Sequence, residues 1–411
     1  MSGEILFLAH RIPFPPDRGD KIRSHHIFKA LAELAPVHVA TFAETAADRA
    51  QEPYLASLAT SHCLVARSRP LPLAGVQALL QGEPINLTAF RHRAIADFIE
   101  RALRERPVDT IYVFSGQMGQ YVPADWDGRL VVDMGDVDSA KFESYARDAS
   151  WPKAPLFARE DRLLRIEEER LARIADRTLL VSEAEAALLR SRLREPHRAR
   201  IEALGNGIDF AAFDPAKAVP HPELAATPGP HFVFTGQMDY PPNIAAVQRF
   251  ARMILPEIRR AHLAAQFHIV GRAPTAEVRA LEGGGVRVWG EVPGVQPFLA
   301  GADLVVAPLT IARGIQNKVL EAMAMARPAL LTTDAATGIA ATDGVHFAVE
   351  DGDAGFVSRA LALLGDRTAA AAMGRAARRF VIETMSWPAM LAPLPRLVGR
   401  EARVQGRRDA A

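Results

Sequence analysis

Glu321 stands four residues after Asn317 and three after Lys318 in the run ARGIQNKVLEAMAMARPAL (312–330). On a helix, Asn317 and Glu321 share a face and Lys318 lies beside Glu321. A carboxylate so placed can accept two hydrogen bonds from a ribose diol, and the neighbouring ammonium can neutralise a diphosphate. Just ahead, Gly314, Ile315 and Gln316 would offer free N–H groups at the helix N-terminus, where the helix dipole also favours a phosphate. The same spacing fits a plain helix with a surface Glu–Lys pair, and that reading stays open. A second polar concentration, Asp133, Asp136 and Asp138, clusters at the end of the run LVVDM (130–134). Its spacing is loop-like. Three carboxylates could contact an acceptor hydroxyl or bind a metal. Asp138 could instead cap a helix beginning at SAKFES.

These groups need a scaffold, and the chain supplies a repeating pattern for one. Apolar runs at 5–10, 37–42, 110–115, 130–134 and 178–182, with a weaker one at 63–67, alternate with helical patterns at 25–34, 98–106 and 156–175. A second series has runs at 231–236, 267–271, 286–290, 304–309, 329–333 and 346–350, with helices at 243–260, 275–282, 294–300, 316–326 and 353–364. Continuous apolar runs fit strands buried on both faces, and their alternation with helices indicates doubly wound parallel sheets. The order strand, Gly-containing loop, helix puts residues 312–321 at the carboxyl end of a sheet, where open α/β sheets bind ligands. Between the two series, the Pro-rich stretch 205–230 reads as a linker. The Glu/Arg run at 160–177 reads as a solvated helix face, and Phe380 and Trp387 as core anchors.

Composition excludes several classes. A chain of 411 residues suggests two or three domains. Its 49 basic and 48 acidic residues give a net charge of +1, which argues against a nucleic-acid binder driven by bulk charge. The single Cys63 excludes an intrachain disulfide and a cysteine metal cluster. No apolar run reaches the ~18 residues of a membrane span, and the first residues lack a basic leader, so a cytoplasmic location is expected. The fingerprints GxGxxG, GxxxxGK[ST] and HExxH are absent, which disfavours nicotinamide enzymes and P-loop ATPases. The Arg-rich end of the chain would touch anionic headgroups at the inner face of a plasma membrane, or is simply a solvated terminus.

Several co-ordered motifs carry a resemblance: PFPPDRGDKIRSHHI (13–27), VVDMGDVDSAKF (131–142), LGNGIDFAAFDP (204–215), FTGQMDYPPNIAAV (234–247), HIVGR (268–272) and ARGIQNKVLEAMAMARP (312–328). Through nearly its whole length the sequence resembles the GT-B-fold glycosyltransferases of family 4, and more narrowly the sugar transferases of bacterial exosortase/PEP-CTERM exopolysaccharide systems. The resemblance implies two Rossmann-like domains facing across a cleft. They are expected at 1–205, on the acceptor side, and 206–385, holding the donor, with a segment 386–411 crossing back. It implies a retaining transfer from a nucleoside diphosphate sugar to a lipid-linked or polysaccharide hydroxyl acceptor, without cofactor, catalytic metal or nucleic-acid partner.

Carried over by position, Glu321 matches the ribose-binding Glu. Arg313 stands where the family usually has a second Glu against the donor sugar. Lys318 becomes the leading phosphate ligand. Arg272 is a second candidate for the phosphate, unless it is merely solvated, and Gly236 would admit backbone to the diphosphate, unless it serves only a turn. The nucleobase would meet backbone near Glu291-Val292-Pro293. In the first domain, Gly19 and Asp20 would lie against the donor, and Asp136 is assigned to the chemistry with Lys318 and Arg272. Lys21 and Arg23 either steer an anionic substrate or form a solvated basic helix start; His10 is either a site residue or structural. The same fold also hosts nucleotide-sugar epimerases, and Arg313 makes a non-catalytic nucleotide-sugar binder a further reading.

Overall fold

The computed structural model describes residues 3–67, 71–312 and 314–401. The chain divides into two compact units. Unit 1 is the chain up to Asn206 together with the return from Leu391; unit 2 is Gly207–Met390.

Unit 1 is built on seven strands: β1 (Glu4–Ala9), β2 (Val37–Ala43), β3 (Ser61–Ala66), β4 (Val108–Phe114), β5 (Arg129–Gly135), β6 (Arg177–Leu180) and β7 (Ile201–Ala203). They lie in the order β3-β2-β1-β4-β5-β6-β7, every pair parallel. Every residue of β2, VHVATFA, is buried, which is why that run does not alternate. β3 is an edge strand and mostly half-buried, which is why its run is weak. Unit 2 has six: β8 (His231–Thr235), β9 (Gln266–Val270), β10 (Val286–Gly290), β11 (Leu304–Ala307), β12 (Ala329–Leu331) and β13 (Ala348–Val349). Their order is β10-β9-β8-β11-β12-β13, again all parallel. Each sheet reverses direction once, between β1 and β4 and between β8 and β11. A crevice opens outside the carboxyl ends of the strands at each such point.

Three local features differ from the expectations. The helix expected at 243–260 runs as Pro241–Arg249 and Leu255–Ala261 with a π turn, Phe250–Ile254, between them. Pro256 has no N–H to give, and the Leu255 amide reaches back to the Phe250 carbonyl, five residues away. The stretch 205–230 is more than a linker: Ile208 bridges Ser386 and Pro222–Ala226 is helical. The acidic run on Lys153–Ile174 is not wholly solvated, because Glu160 and Glu168 are buried. Glu168 accepts from the Ser139 amide (2.9 Å) and hydroxyl (2.6 Å). It thereby caps the helix Asp138–Asp148, whose N-cap residue is Val137 and which Asp138 does not cap. Burial pushes the Glu168 carboxyl up to about 7, against the pull of those hydrogen bonds.

Unit 2 also buries a chain of rings. Trp289 Nε1 donates to His268 Nδ1 (3.1 Å), which leaves the proton on His268 Nε2. That nitrogen meets His231 Nδ1 at 3.0 Å, and His231 Nε2 donates to the Thr227 carbonyl at 3.1 Å. Every ring nitrogen is used with both histidines neutral. Burial, then the neighbouring His231, Arg287 and His221, pull His268 down to about 4. With the folded value below the ordinary 6.5, the unfolded chain takes the proton first as pH falls. The contribution is therefore intact above pH 6.5 and is lost on the way down to 4. At about 1.4 kcal/mol per pH unit, this group alone takes away about 2 kcal/mol between pH 6.5 and pH 5, while the raised carboxyls of Glu168 and Glu321 act in the opposite sense. In urea unfolding, the stability of His268→Gln relative to the wild type should therefore rise by about 2 kcal/mol on going from pH 6.5 to pH 5; a difference that does not change with pH would rule out His268 as its source.

Candidate functional site

The pocket of unit 2 lies at its switch point. β8 ends at Thr235 and Gly236, β9 at Val270 and Gly271, and the loop after β11 leads into the helix Asn317–Ala324. The two glycines let adjacent strand ends close on one another. A Cβ on Gly271 would sit 1.6 Å from the Gly236 carbonyl oxygen, and one on Gly236 would press on Asn243 Nδ2 (2.9 Å) and Lys318 Nζ (3.3 Å). Gly314 turns the loop at φ +65, open to space on its Cβ side. The helix it leads into starts at Gln316 without any side-chain cap, so its first-turn dipole is left for a ligand.

Into this concavity of about 520 Å³ project Lys318, Glu321, Asn243, Arg272 and Glu291. Lys318 Nζ donates to Asn243 Oδ1 at 2.6 Å and lies 4.4 Å from the centre of the Phe234 ring. Burial pulls the ammonium down to about 8, with Glu321 acting against it. Burial pushes the Glu321 carboxyl up to about 7, with Lys318 and the Thr235 hydroxyl acting against it. That hydroxyl is sealed from solvent and makes no bond at hydrogen-bonding distance. Two half-desolvated opposite charges thus share one wall and are only partly neutralised by protein. Such a wall favours an anion beside Lys318 and a pair of hydroxyl donors beside Glu321.

The sequence-named residues fall into two groups. Gly236, Arg272, Ile315, Gln316, Asn317, Lys318 and Glu321 line the pocket of unit 2; Gly314 stands one residue before Ile315 and is not part of that lining. Arg272 is exposed and donates to Gln237 Oε1 at 2.9 Å. Ile315 packs its side chain on the core, leaving only its backbone for a ligand. Asn317 is exposed at the first helical position. Arg313 lies outside the described residues. Sequence reasoning missed Asn243, Thr235 and Phe234. The signal available was FTGQMDYPPN, where a polar residue follows two prolines that start a helix.

The second group lines a concavity of about 480 Å³ in unit 1, at the β1/β4 reversal. His10 packs between the Phe90 and Phe114 rings. Asp20 accepts from Arg11 (2.6 Å) and Arg18 (2.8 Å) and meets His10 Nε2 at 3.2 Å. Although burial pushes it up, His10 and Arg11 hold the Asp20 carboxyl far below the ordinary range. Burial keeps His10 below its usual value. Gly19 has nothing within 4 Å of where a Cβ would be, so no protein contact requires a glycine there. Asp136 and Asp138 both bind Lys141, at 3.0 and 3.1 Å.

Three expectations are corrected. Lys21 is buried on Asp48 at 2.5 Å, not solvated. Arg23 is buried across Asp133, at 3.0 to 3.2 Å, and donates to Asn206 at 2.9 Å. Asp133, fully buried and also bonded by Tyr112 at 2.9 Å, belongs to that structural pair and not to a carboxylate cluster with Asp136. Among the described residues no group of three or more His, Cys, Asp or Glu could hold a metal ion, and no helix is long and apolar enough to cross a membrane.

Residues 229–366, a third of the chain, match the family model described as Glycosyl transferases group 1. No curated protein sequence matches. Among solved structures, HepE from Anabaena in complex with UDP and glucose is 13% identical, with a TM-score of 0.61, over 97% of this chain and 100% of its own. Sucrose-phosphate synthase from Thermosynechococcus elongatus is 14% identical at TM-score 0.59, over 96% and 98%. WaaG, a glycosyltransferase involved in lipopolysaccharide biosynthesis, is 16% identical at TM-score 0.57, over 96% and 100%. At such identities the likeness is one of fold. The chain therefore has the two-sheet GT-B fold, and the unit that holds Lys318 and Glu321 carries the match to the group 1 glycosyltransferases.

Proposed function

We propose that the protein is a retaining glycosyltransferase of family 4 type, moving a sugar from a nucleoside diphosphate sugar to a hydroxyl acceptor. The observation that carries this reading is the half-buried Lys318–Glu321 pair on a helix whose N-cap residue makes no side-chain cap. Glu321 would hold the ribose diol, and Lys318 with the amides of residues 314–316 would hold the diphosphate. Arg272, at the pocket rim, would add charge there. The group 1 match over the same segment and a structural neighbour holding UDP support a nucleotide-sugar donor.

The chemistry then asks for leaving-group stabilisation more than for a strong base. As the sugar–oxygen bond breaks, charge builds on the diphosphate, and the ammonium and helix dipole are already in place for it. The departing phosphate oxygen can take the acceptor proton, provided the acceptor arrives on the face the phosphate leaves. In this reading residues 1–205 serve the acceptor and 206–385 the donor, with 386–411 returning to the first domain. Gly19 and Asp20 would approach the donor from the first domain, and Asp136 would accept a hydrogen bond from the acceptor hydroxyl. The acceptor is a lipid-linked or exopolysaccharide precursor of the exosortase/PEP-CTERM type, met in the cytoplasm at the membrane's inner face.

The test is a panel of uridine, guanosine, adenosine and thymidine diphosphate sugars, each with and without a hydroxyl acceptor. Nucleoside diphosphate release that depends on acceptor is expected. Conversion of the sugar nucleotide without acceptor would replace this reading with an epimerase, and binding without turnover with a non-catalytic nucleotide-sugar protein.

A further inference from the structure

Lys318 is not held by its own helix. Its ammonium is 2.6 Å from Asn243 Oδ1, in the first turn of the helix Pro241–Arg249, 75 residues earlier. Asn243 is itself 5% exposed, and its amide is fixed at the other end, where Nδ2 donates to the Gln237 carbonyl at 2.8 Å. That second bond settles which end faces Lys318: the nitrogen is used on Gln237, and the oxygen is left for the cation. The Phe234 face completes the cradle, and Gly236 leaves room for it, since a Cβ there would strike Asn243 and crowd Lys318.

We infer that Asn243 is a positioning residue for the pocket: its amide oxygen orients the Lys318 ammonium toward the anion site without cancelling its charge. The inference rests on the donor reading given above and adds to it the residue that sets the charge and aim of the lysine. Chemistry explains the residue type. An aspartate of the same shape would bind the ammonium as tightly but neutralise it, and a neutralised lysine has little left for a diphosphate. An alanine would leave the charge but lose its aim. The other charged groups lining the pocket are Glu321, on the same helix as Lys318, and Arg272 and Glu291 from beyond β9 and β10. None of these offers the ammonium a neutral acceptor.

The chain has only six lysines, so their 13Cε NMR signals can be followed individually through a pH titration, with Lys318→Arg identifying the one that disappears. The Lys318 midpoint is expected to lie below the ordinary lysine range in the wild type, to rise by at least one pH unit in Asn243→Asp, and to change differently in Asn243→Ala. Calorimetry with UDP, GDP and inorganic pyrophosphate at pH 7.5 gives the second readout. Asn243→Asp should lose roughly tenfold or more in affinity while its fold, checked by its melting temperature, is retained. Equal Lys318 midpoints in all three proteins would overturn the inference, as would undiminished diphosphate affinity in Asn243→Asp. A wild type that binds none of the three ligands overturns the donor reading, and with it the anion site toward which Lys318 is said to be aimed. If the midpoints still move in that case, the failure lies in the donor reading and the coupling between Asn243 and Lys318 stands.

Discussion

Lys318→Ala is expected to lower the turnover of sugar transfer roughly 10²- to 10³-fold, the scale seen when one preorganised group that stabilises developing charge is removed. The donor KM should move much less, because the diphosphate gains negative charge only as the sugar leaves. The ammonium already stands in the pocket wall, held by Asn243 and facing Phe234, so it needs little reorganisation to meet that charge. Steady-state rates with saturating acceptor decide the matter. A variant with wild-type turnover removes Lys318 from the mechanism. A variant that loses affinity and turnover equally makes it a uniform binding group.

Glu321→Ala is expected to weaken nucleoside diphosphate binding by about 3 kcal/mol, or roughly a hundredfold, through the loss of two charge-assisted hydrogen bonds to the ribose. The carboxyl carries a pH signature as well. Burial pushes it up to about 7, and only its ionised form accepts both diol protons. Below pH 7 the ligand must first expel a proton, so affinity should fall about tenfold per pH unit. Lys318, at about 8, loses its charge on the other side. Binding should therefore peak between pH 7 and 8, with the two midpoints belonging to the pair. In Glu321→Gln the acid limb should vanish and the alkaline limb remain. Calorimetry at half-unit steps of pH measures both; a wild-type affinity flat from pH 5.5 to 7 would dismiss the ribose role.

What could be read from the sequence follows the distance over which each feature is decided. β2 and β8 announce themselves because a strand buried on both faces writes a mostly apolar run with no charged residue in it. β7 has three residues, only the first of them buried, and leaves no such mark. Lys318 and Glu321 are legible as a pair because one helical turn joins them. Asn243 is not, because only the folded sheet brings it to them. Charge burial was misread for the same reason. Lys21 and Arg23 look solvated until their partners appear, Asp48 at 27 and Asp133 at 110 residues' separation. Glu168 hides within a polar repeat, and its buried position shows only when Ser139 arrives from another helix.

The return of the chain after Met390 makes unit 2 an insertion within unit 1. Leu394, Leu397 and Val398 are buried, Arg400 donates to the Gly3 carbonyl at 3.0 Å, and Arg396 donates to Glu202 at 2.5 Å. A premature stop codon just past unit 2 would thus spare the half of the protein nearest the break and damage the half that ribosomes finish first. Anyone subcloning the halves can lift unit 2 as one uninterrupted stretch. Unit 1 requires the segment from Leu391 onward spliced back by a synthetic joint or supplied as a separate peptide.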